Sequence, residues 1–484
     1  MANRNRHGND SRLRMTLGMV RIVGFGRVFL DQGRSRTPAR RLEPRYTLDS
    51  LAARICRKGK KALQAIQSSL RMAIMFWLAI SAGRILVPAL ALSPVRPPAT
   101  TQMEWRHLSS AAGDLPVPGE STEQTGALVA DLDKDGWNDF VLSFRQKAPA
   151  LVWYRRKAQG WDRYVIEKEY LTVEAGGAVY DIDGDGYPDI VFGADYQGNQ
   201  VWWWRNPGPH YDPDVSWERH TIKKGGATQH HDQIFGDFKG TGKPQLVFWN
   251  QGAKKLFIAD IPSRPREVEQ WPLQEIYSGS AGEGPGKYAE GLTAIDINGD
   301  GRIDLLAGNY WFKYERDGHF RPTKIADVGG RIAAGQFIKG AQCPQVVINS
   351  GDGVAPLKWY ECKGNPENPH SWVGHDLVGR DVIHGHSLQV ADIDGDGNLD
   401  IFAAEMAKWT ESRPGPDNPN AEAWIFYGDG HGHFGKTLFS RGIGFHEAQV
   451  ADLNGDGLPD VLDKPYNWQT PRVDVWLQMR GPAR

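Results

Sequence analysis

Five stretches of this chain set carboxylates at a spacing that suits a hard cation. They are Asp131, Asp133, Asp135 and Asp139 in DLDKDGWND; Asp181, Asp183, Asp185 and Asp189 in DIDGDGYPD; Asp296, Asn298, Asp300 and Asp304 in DINGDGRID; Asp392, Asp394, Asp396 and Asp400 in DIDGDGNLD; and Asp452, Asn454, Asp456 and Asp460 in DLNGDGLPD. Side chains 1, 3 and 5 of such a loop converge, glycine at 6 permits the sharp turn, and the ninth residue closes the cage. Several oxygen donors around one point are calcium chemistry. An EF-hand would need Glu at position 12, where Leu142, Phe192, Ala307, Ala403 and Asp463 stand instead, in or beside strand-like sequence. The plainer reading makes these aspartates turn formers, but three like charges crowded together five times over argue against it. The expectation is therefore about five structural Ca²⁺ sites. Two degenerate copies, Asp237–Gln245 (DFKGTGKPQ) and Gln336–Pro344 (QFIKGAQCP), should be empty.

A second constellation emerges when the seven loops are aligned. Six positions before each loop stand Thr125, Ala175, His231, Glu290, Gly330, His386 and His446. Three of seven are His, in a chain with 14 His among 484 residues, and His230, Asp232, His384 and Glu447 adjoin them. Six extended residues at roughly 3.3 Å each separate this column from the loops by nearly 20 Å, so it belongs at the opposite mouth. Antiparallel second strands should end there too, bringing Tyr196, Tyr310, Glu405 and Lys464 as substrate contacts beside His230. Catalytic candidates are His231, Glu290, His386, His446 and His384. Two readings stand side by side: a transition metal such as Zn²⁺ on imidazole and carboxylate, or metal-free acid–base catalysis by groups that titrate near neutrality. The bland alternative is a solvated channel mouth.

The elements that must position both sets repeat with them. Loop starts are separated by 50, 56, 59, 40, 56 and 60 residues, the length of one four-stranded sheet. Each loop lies between two short apolar runs. An aromatic strand such as LVWYRR, VWWWRN or LKWYEC comes next, then a Trp- or Phe-led segment. The last unit lacks that final segment, and MEWRHLSS from Met103 supplies it from the other end of the chain. The pattern predicts an all-β, seven-bladed propeller over 103–480, closed by an N-terminal outer strand. Trp202, Trp203 and Trp204 could stack on sugar rings, but aromatics on the corresponding strands of other blades read as core.

At this point the residues resemble a known family. DxDxDGxxD loops between short strands at blade spacing look like FG-GAP (VCBS-type) propellers, which include the integrin α-subunit head. Among enzymes, the segments HGHSLQVADIDGDG and FHEAQVADLNGDG are similar to aldos-2-ulose dehydratase and, more distantly, to propeller polysaccharide lyases. That resemblance implies a carbohydrate lyase or dehydratase. One His or Glu290 would take a proton α to a sugar carbonyl, and a metal or His would hold the enediolate. The alternative is a non-catalytic carbohydrate- or protein-binding adhesion module.

Charge separates the remainder of the chain. The formal net charge of −1 conceals 17 Lys/Arg against 4 Asp/Glu in residues 1–71, and an acidic body after them. The near-neutral total and acidic body argue against nucleic acid as a partner. Residues 1–71 read as a basic, poorly ordered extension and 72–92 as a signal peptide or anchor, with 12 uncharged residues before Arg84. Residues 93–102, rich in proline, read as a linker. Export to the periplasm or cell exterior follows, with membrane contact only through that N-terminal segment. Three cysteines exclude a disulfide scaffold, and Cys343 and Cys362 either pair or stay thiols.

Overall fold

A computed structural model describes residues 103–279, 290–409 and 413–479. The sequence-derived extension (1–71), signal or anchor (72–92) and linker (93–102) lie outside the described residues. Among the described residues, 28 strands form seven four-stranded antiparallel sheets, and a single 3₁₀ turn, Pro369–Ser371, accompanies them. This is the seven-bladed propeller. No helix among the described residues is long and apolar enough to cross a membrane.

Each blade runs outward from an inner strand, and blade three is typical: Gln233–Gly236, Gln245–Asn250, Lys255–Asp260 and Gln274–Ser278 in that order. Successive side chains of a strand point to opposite faces, so each sheet contributes to two cores. In blade one, Val141 and Trp153 pack against Ile190 and Trp204 of blade two, while Phe140, Leu142 and Tyr154 face Leu462 and Val475 of blade seven. With both faces buried, the strands read as apolar runs rather than as polar–apolar alternation. Trp203 and Trp204 are fully buried in such inter-blade cores, which settles the tryptophan run as packing.

The ring closes as the termini required. Strand Glu104–Ser109 pairs antiparallel with Asp474–Met479, from Glu104 opposite Met479 to Ser109 opposite Asp474. It becomes the outer strand of a sheet whose other three members are the last three strands of the chain. The pairing covers the edge that Asp474–Met479 would otherwise leave open and makes the short strand Glu104–Ser109 the outer edge of the blade.

Candidate functional site

The acidic loops turn each inner strand into its neighbour, and their ninth residue is the clamp. Asp139 Oδ2 accepts from the Leu132 N–H (3.2 Å) and Oδ1 from the Arg156 N–H (2.6 Å). Asp189, Asp400 and Asp460 repeat both bonds, and Asp304 repeats the first. Burial, only partly offset by these donors, pushes all five carboxyls up to about 7. Carboxylate oxygens of Asp131, Asp133 and Asp139 lie within 4.8 Å of one another, as do those of Asp181, Asp183 and Asp189, and of Asp392, Asp394 and Asp400. Arg155 and Arg205, from the third strands, reach the first two groups through Asp133 and Asp183.

In the two degenerate loops glutamine replaces this clamp. Gln245 accepts from the Lys239 N–H (3.1 Å) and donates to the Lys243 carbonyl (2.6 Å). In the fifth loop the equivalent is Gln345, which accepts from Ile338 N–H (2.8 Å) and donates to Cys343 O (2.7 Å). The frame Gln336–Pro344 read from sequence is therefore one residue short at its end, because the loop carries an insertion after the buried Phe337. An amide meets both needs of the turn without charge. Cys343 and Cys362 are both free thiols, and burial with a hydrogen bond from the Cys343 thiol to Cys362 pushes Cys343 up to about 12.

At the other mouth the aligned column converges. His231, Glu290, His386 and His446 stand one to three residues before inner strands and are all buried. Glu290 Oε2 lies 3.0 Å from His386 Nε2 and 3.5 Å from His231 Nε2, and its Oε1 accepts from the Asp352 N–H (3.0 Å). The far nitrogens of both rings meet further carboxylates: His231 Nδ1 lies 2.6 Å from Asp232, and His386 Nδ1 3.1 Å from Glu447. Arg331 spans those two carboxylates, at 2.5 Å from Asp232 and 3.0 Å from Glu447. Burial disfavours the charged imidazoles, but the facing carboxylates outweigh it, raising His231 to about 9 and His386 to about 10.

His446 differs. Its ring stacks on His386 with centroids 4.3 Å apart, and Lys464 Nζ donates to its Nδ1 (2.8 Å). Lys464 also donates to the carbonyls of Gln124, Thr125 and His446 (3.2, 2.9 and 2.9 Å). Burial, with Lys464 and His386 beside it, holds His446 well below the usual imidazole range, so the ring is neutral. With Nδ1 accepting, its proton sits on Nε2.

His231, His386 and His446 line a cavity of about 50 Å³ together with Arg145, Glu174, Asp352, Lys408 and Tyr466. Arg145 pairs with Glu174 and donates to Tyr466 Oη (3.0 Å). Asp352 is half-exposed, its carboxylate 4.0 Å from both His386 Nε2 and Lys408 Nζ. Burial opposes its charge, yet His386 and Lys408 hold it below the usual carboxylate range.

The other candidates go elsewhere. His384 has both nitrogens engaged, by Asp352 O and Asp417 Oδ2 (2.8 Å each), and stands behind Asp352 rather than in the cavity. His230 is buried against Phe248 with Nε2 bonded to Asn250 (3.0 Å), and burial pushes it down to about 3. Glu405 pairs with Arg380 and accepts from the Ile383 and Glu422 N–H groups. Tyr310 packs beside Tyr277 and Phe312, and Tyr196 is exposed. Sequence reading passed over Arg331, Arg145, Asp352, Lys408 and Tyr466. Arg331 had a signal: one position after the histidine column stand Asp232, Arg331 and Glu447.

A family model for FG-GAP-like repeats matches residues 181–248 and 392–462. The chain carries FG-GAP-like repeats. No curated protein matches its sequence. Among solved structures it is similar to BBS1N crystallised in complex with ARL6DN, at 11% identity over 78% of this chain and 97% of that one (TM-score 0.46). It is also similar to rhamnogalacturonan lyase YesW, at 13% identity over 77% and 75% (TM-score 0.43). A rhamnogalacturonan lyase from Bacillus licheniformis shows 14% identity over 74% of each chain (TM-score 0.41).

Proposed function

We propose that this FG-GAP-repeat propeller is an exported, calcium-bound enzyme acting on carbohydrate as a lyase or dehydratase, with its reaction centre at the His-rich mouth. The observation that carries this is the convergence of three histidines on one small polar cavity, two of them in contact with Glu290, next to a carboxylate, Asp352, that no hydrogen bond to its oxygens restrains among the described residues. In this reading Asp352 takes the proton α to a sugar carbonyl, because Glu290 is already committed to His386 and the Asp352 N–H. The His231–His386 side receives the developing enolate oxygen, which positive charge stabilises. His446 passes its Nε2 proton to the departing hydroxyl or alkoxide while Lys464 Nζ delivers one to Nδ1, so the ring stays neutral and Lys464 ends as the amine. Calcium in the five aspartate loops would hold neighbouring inner strands together and leave the mouth free for chemistry.

The test is a screen of 2-keto sugars, anhydrofructose and uronic-acid polymers for the ultraviolet absorbance of a conjugated enone. Asp352→Asn and His446→Gln should each lower the rate by about 10²–10⁴-fold. Wild-type rates in both variants would sink the assignment. A cavity of only about 50 Å³ favours a second reading, a rim that binds carbohydrate or protein without catalysis. Retained glycan binding with no enone from any substrate would support that one.

A further inference from the structure

Between the outer parts of blades five and six lies a second, larger concavity. It is a groove of about 570 Å³, walled by Val354, Arg380 and Ile383 on one blade and by Asn418, Glu422 and Arg441 on the other. We infer that this groove is a binding site for a neutral, polyhydroxylated ligand, one unit of an uncharged saccharide, separate from the cavity at the mouth.

The strand ends account for its shape. The fourth strands of the two blades, Trp372–Ile383 and Phe434–Arg441, are tied where Lys436 Nζ donates to Val378 O (3.1 Å). Toward Ile383 and Arg441 each hairpin carries a register shift, between Pro356 and Lys358 in blade five and between Ala423 and Trp424 in blade six. A bulge bends and twists its strand, and the groove opens at these ends. Its volume falls within the range of about 300–1,000 Å³ that small-ligand sites occupy.

Charge decides the class of ligand. Arg380 donates twice to Glu405 (2.6 and 3.1 Å) and once to Glu422 (3.1 Å), and Arg441 takes the other oxygen of Glu422. With Asp381 in the same lining, two guanidiniums face three carboxylates. An anion would meet guanidiniums already neutralised, and a cation would compete with arginines already seated. A hydroxyl donates and accepts at once, so adjacent hydroxyls can bridge Glu422 and Arg441 without breaking the pair.

An unmade hydrogen bond points the same way. Asn418 is 8% exposed, and its Nδ2 has no acceptor among the described residues. A buried amide donor without a partner is costly, and a ligand oxygen would complete it. Asn420 adds a second amide to the lining, and Val354, 56% exposed, adds an apolar wall for the C–H face of a sugar ring. The groove shares no lining residue with the mouth cavity, so the inference goes beyond the lyase reading and does not rest on it.

The test is isothermal titration and saturation-transfer NMR on calcium-loaded full-length protein. The probes are methyl glycosides of glucose, galactose, mannose and rhamnose, with glucuronate, glucosamine and a capped, uncharged peptide as counter-probes. The expected result is saturable one-site binding of at least one neutral glycoside and weaker binding of every counter-probe. Val354→Trp, which fills the groove from an exposed position, should abolish it, and Asn420→Ala should weaken it about 2–10-fold. Val117→Trp, at a valine that is 55% exposed outside the groove, should leave it unchanged. No saturable binding of any neutral glycoside overturns the inference, as does tighter binding of a counter-probe. Wild-type affinity in both Val354→Trp and Asn420→Ala, with native circular dichroism, overturns it too. Enone formation plays no part in this readout, so the lyase and the groove can fail separately.

Discussion

Chelating calcium should lower the melting temperature of this propeller by about 9–18 °C. With a dissociation constant of about 10⁻⁴–10⁻³ M, as in extracellular modules, each occupied loop gains about 1.4–2.7 kcal/mol at about 10 mM Ca²⁺. The five aspartate loops together then contribute about 7–14 kcal/mol. Unfolding about 380 residues carries an entropy of about 0.8 kcal/mol/K, which converts that sum to the stated shift. The sites can be tested singly by scanning calorimetry. Asp181→Asn should remove about a fifth of the calcium-dependent shift, whereas Asp237→Asn, in a loop whose clamp is Gln245, should remove none of it. pH supplies an independent arm. In calcium-free protein the five clamp carboxyls sit at about 7, above their unfolded value near 3.8. Their stabilising contribution is then complete below about pH 3.8 and lost as pH rises through 7. Calcium should therefore matter more at pH 8 than at pH 5. A shift under about 2 °C, or equal losses from Asp181→Asn and Asp237→Asn, would refute the assignment of the loops.

Three further outcomes follow from the mouth. Arg331→Leu strands Asp232 and Glu447 in the interior and should cost about 3–5 kcal/mol in urea unfolding. Gly351→Ala should destabilise by about 1–3 kcal/mol, because Gly351 sits at φ +56° and an added Cβ would meet Glu290 Oε1 at 1.5 Å; native-like melting would show that the Gly351 turn can move off Glu290. His230, at about 3 in the fold, is neutral where the unfolded chain is charged, so stability falls as pH drops from about 6.5 toward 3. His230→Gln should flatten that decline in acid denaturation.

The fold was legible in this sequence because one unit is written seven times with its loop and strands in fixed order. The completion of the last sheet by MEWRHLSS was readable from what the final unit lacked. His231, Glu290, His386 and His446 were legible for the same reason: all stand at one offset from a recognisable loop, so the ring brings them together. Arg145, Asp352, Lys408 and Tyr466 instead occupy segments after the second strands of their blades, one to four residues beyond the strand end. Those segments differ in length, and no common offset marks them. His384 and His230 misled because proximity in sequence does not tell which way a ring turns. Each lies within two residues of a mouth histidine, yet His384 adopts φ +52° and turns to Asp417, and His230 is buried against Phe248.

The seam between Glu104–Ser109 and Asp474–Met479 also sets the timetable of synthesis. The first strand of the propeller leaves the ribosome some 370 residues before its partner exists, roughly 20–75 s at ordinary elongation rates. During that interval six blades can form from local contacts, while the strand that belongs to the seventh has open hydrogen-bonding groups on both sides. Joining ends so distant in sequence carries an entropic cost on the order of 5 kcal/mol, which grows only slowly with chain length. Time rather than free energy is the hazard of this closure. Slow translation near the C-terminus should raise aggregation, and moving Met103–Ser109 to follow Met479 by circular permutation should relieve it.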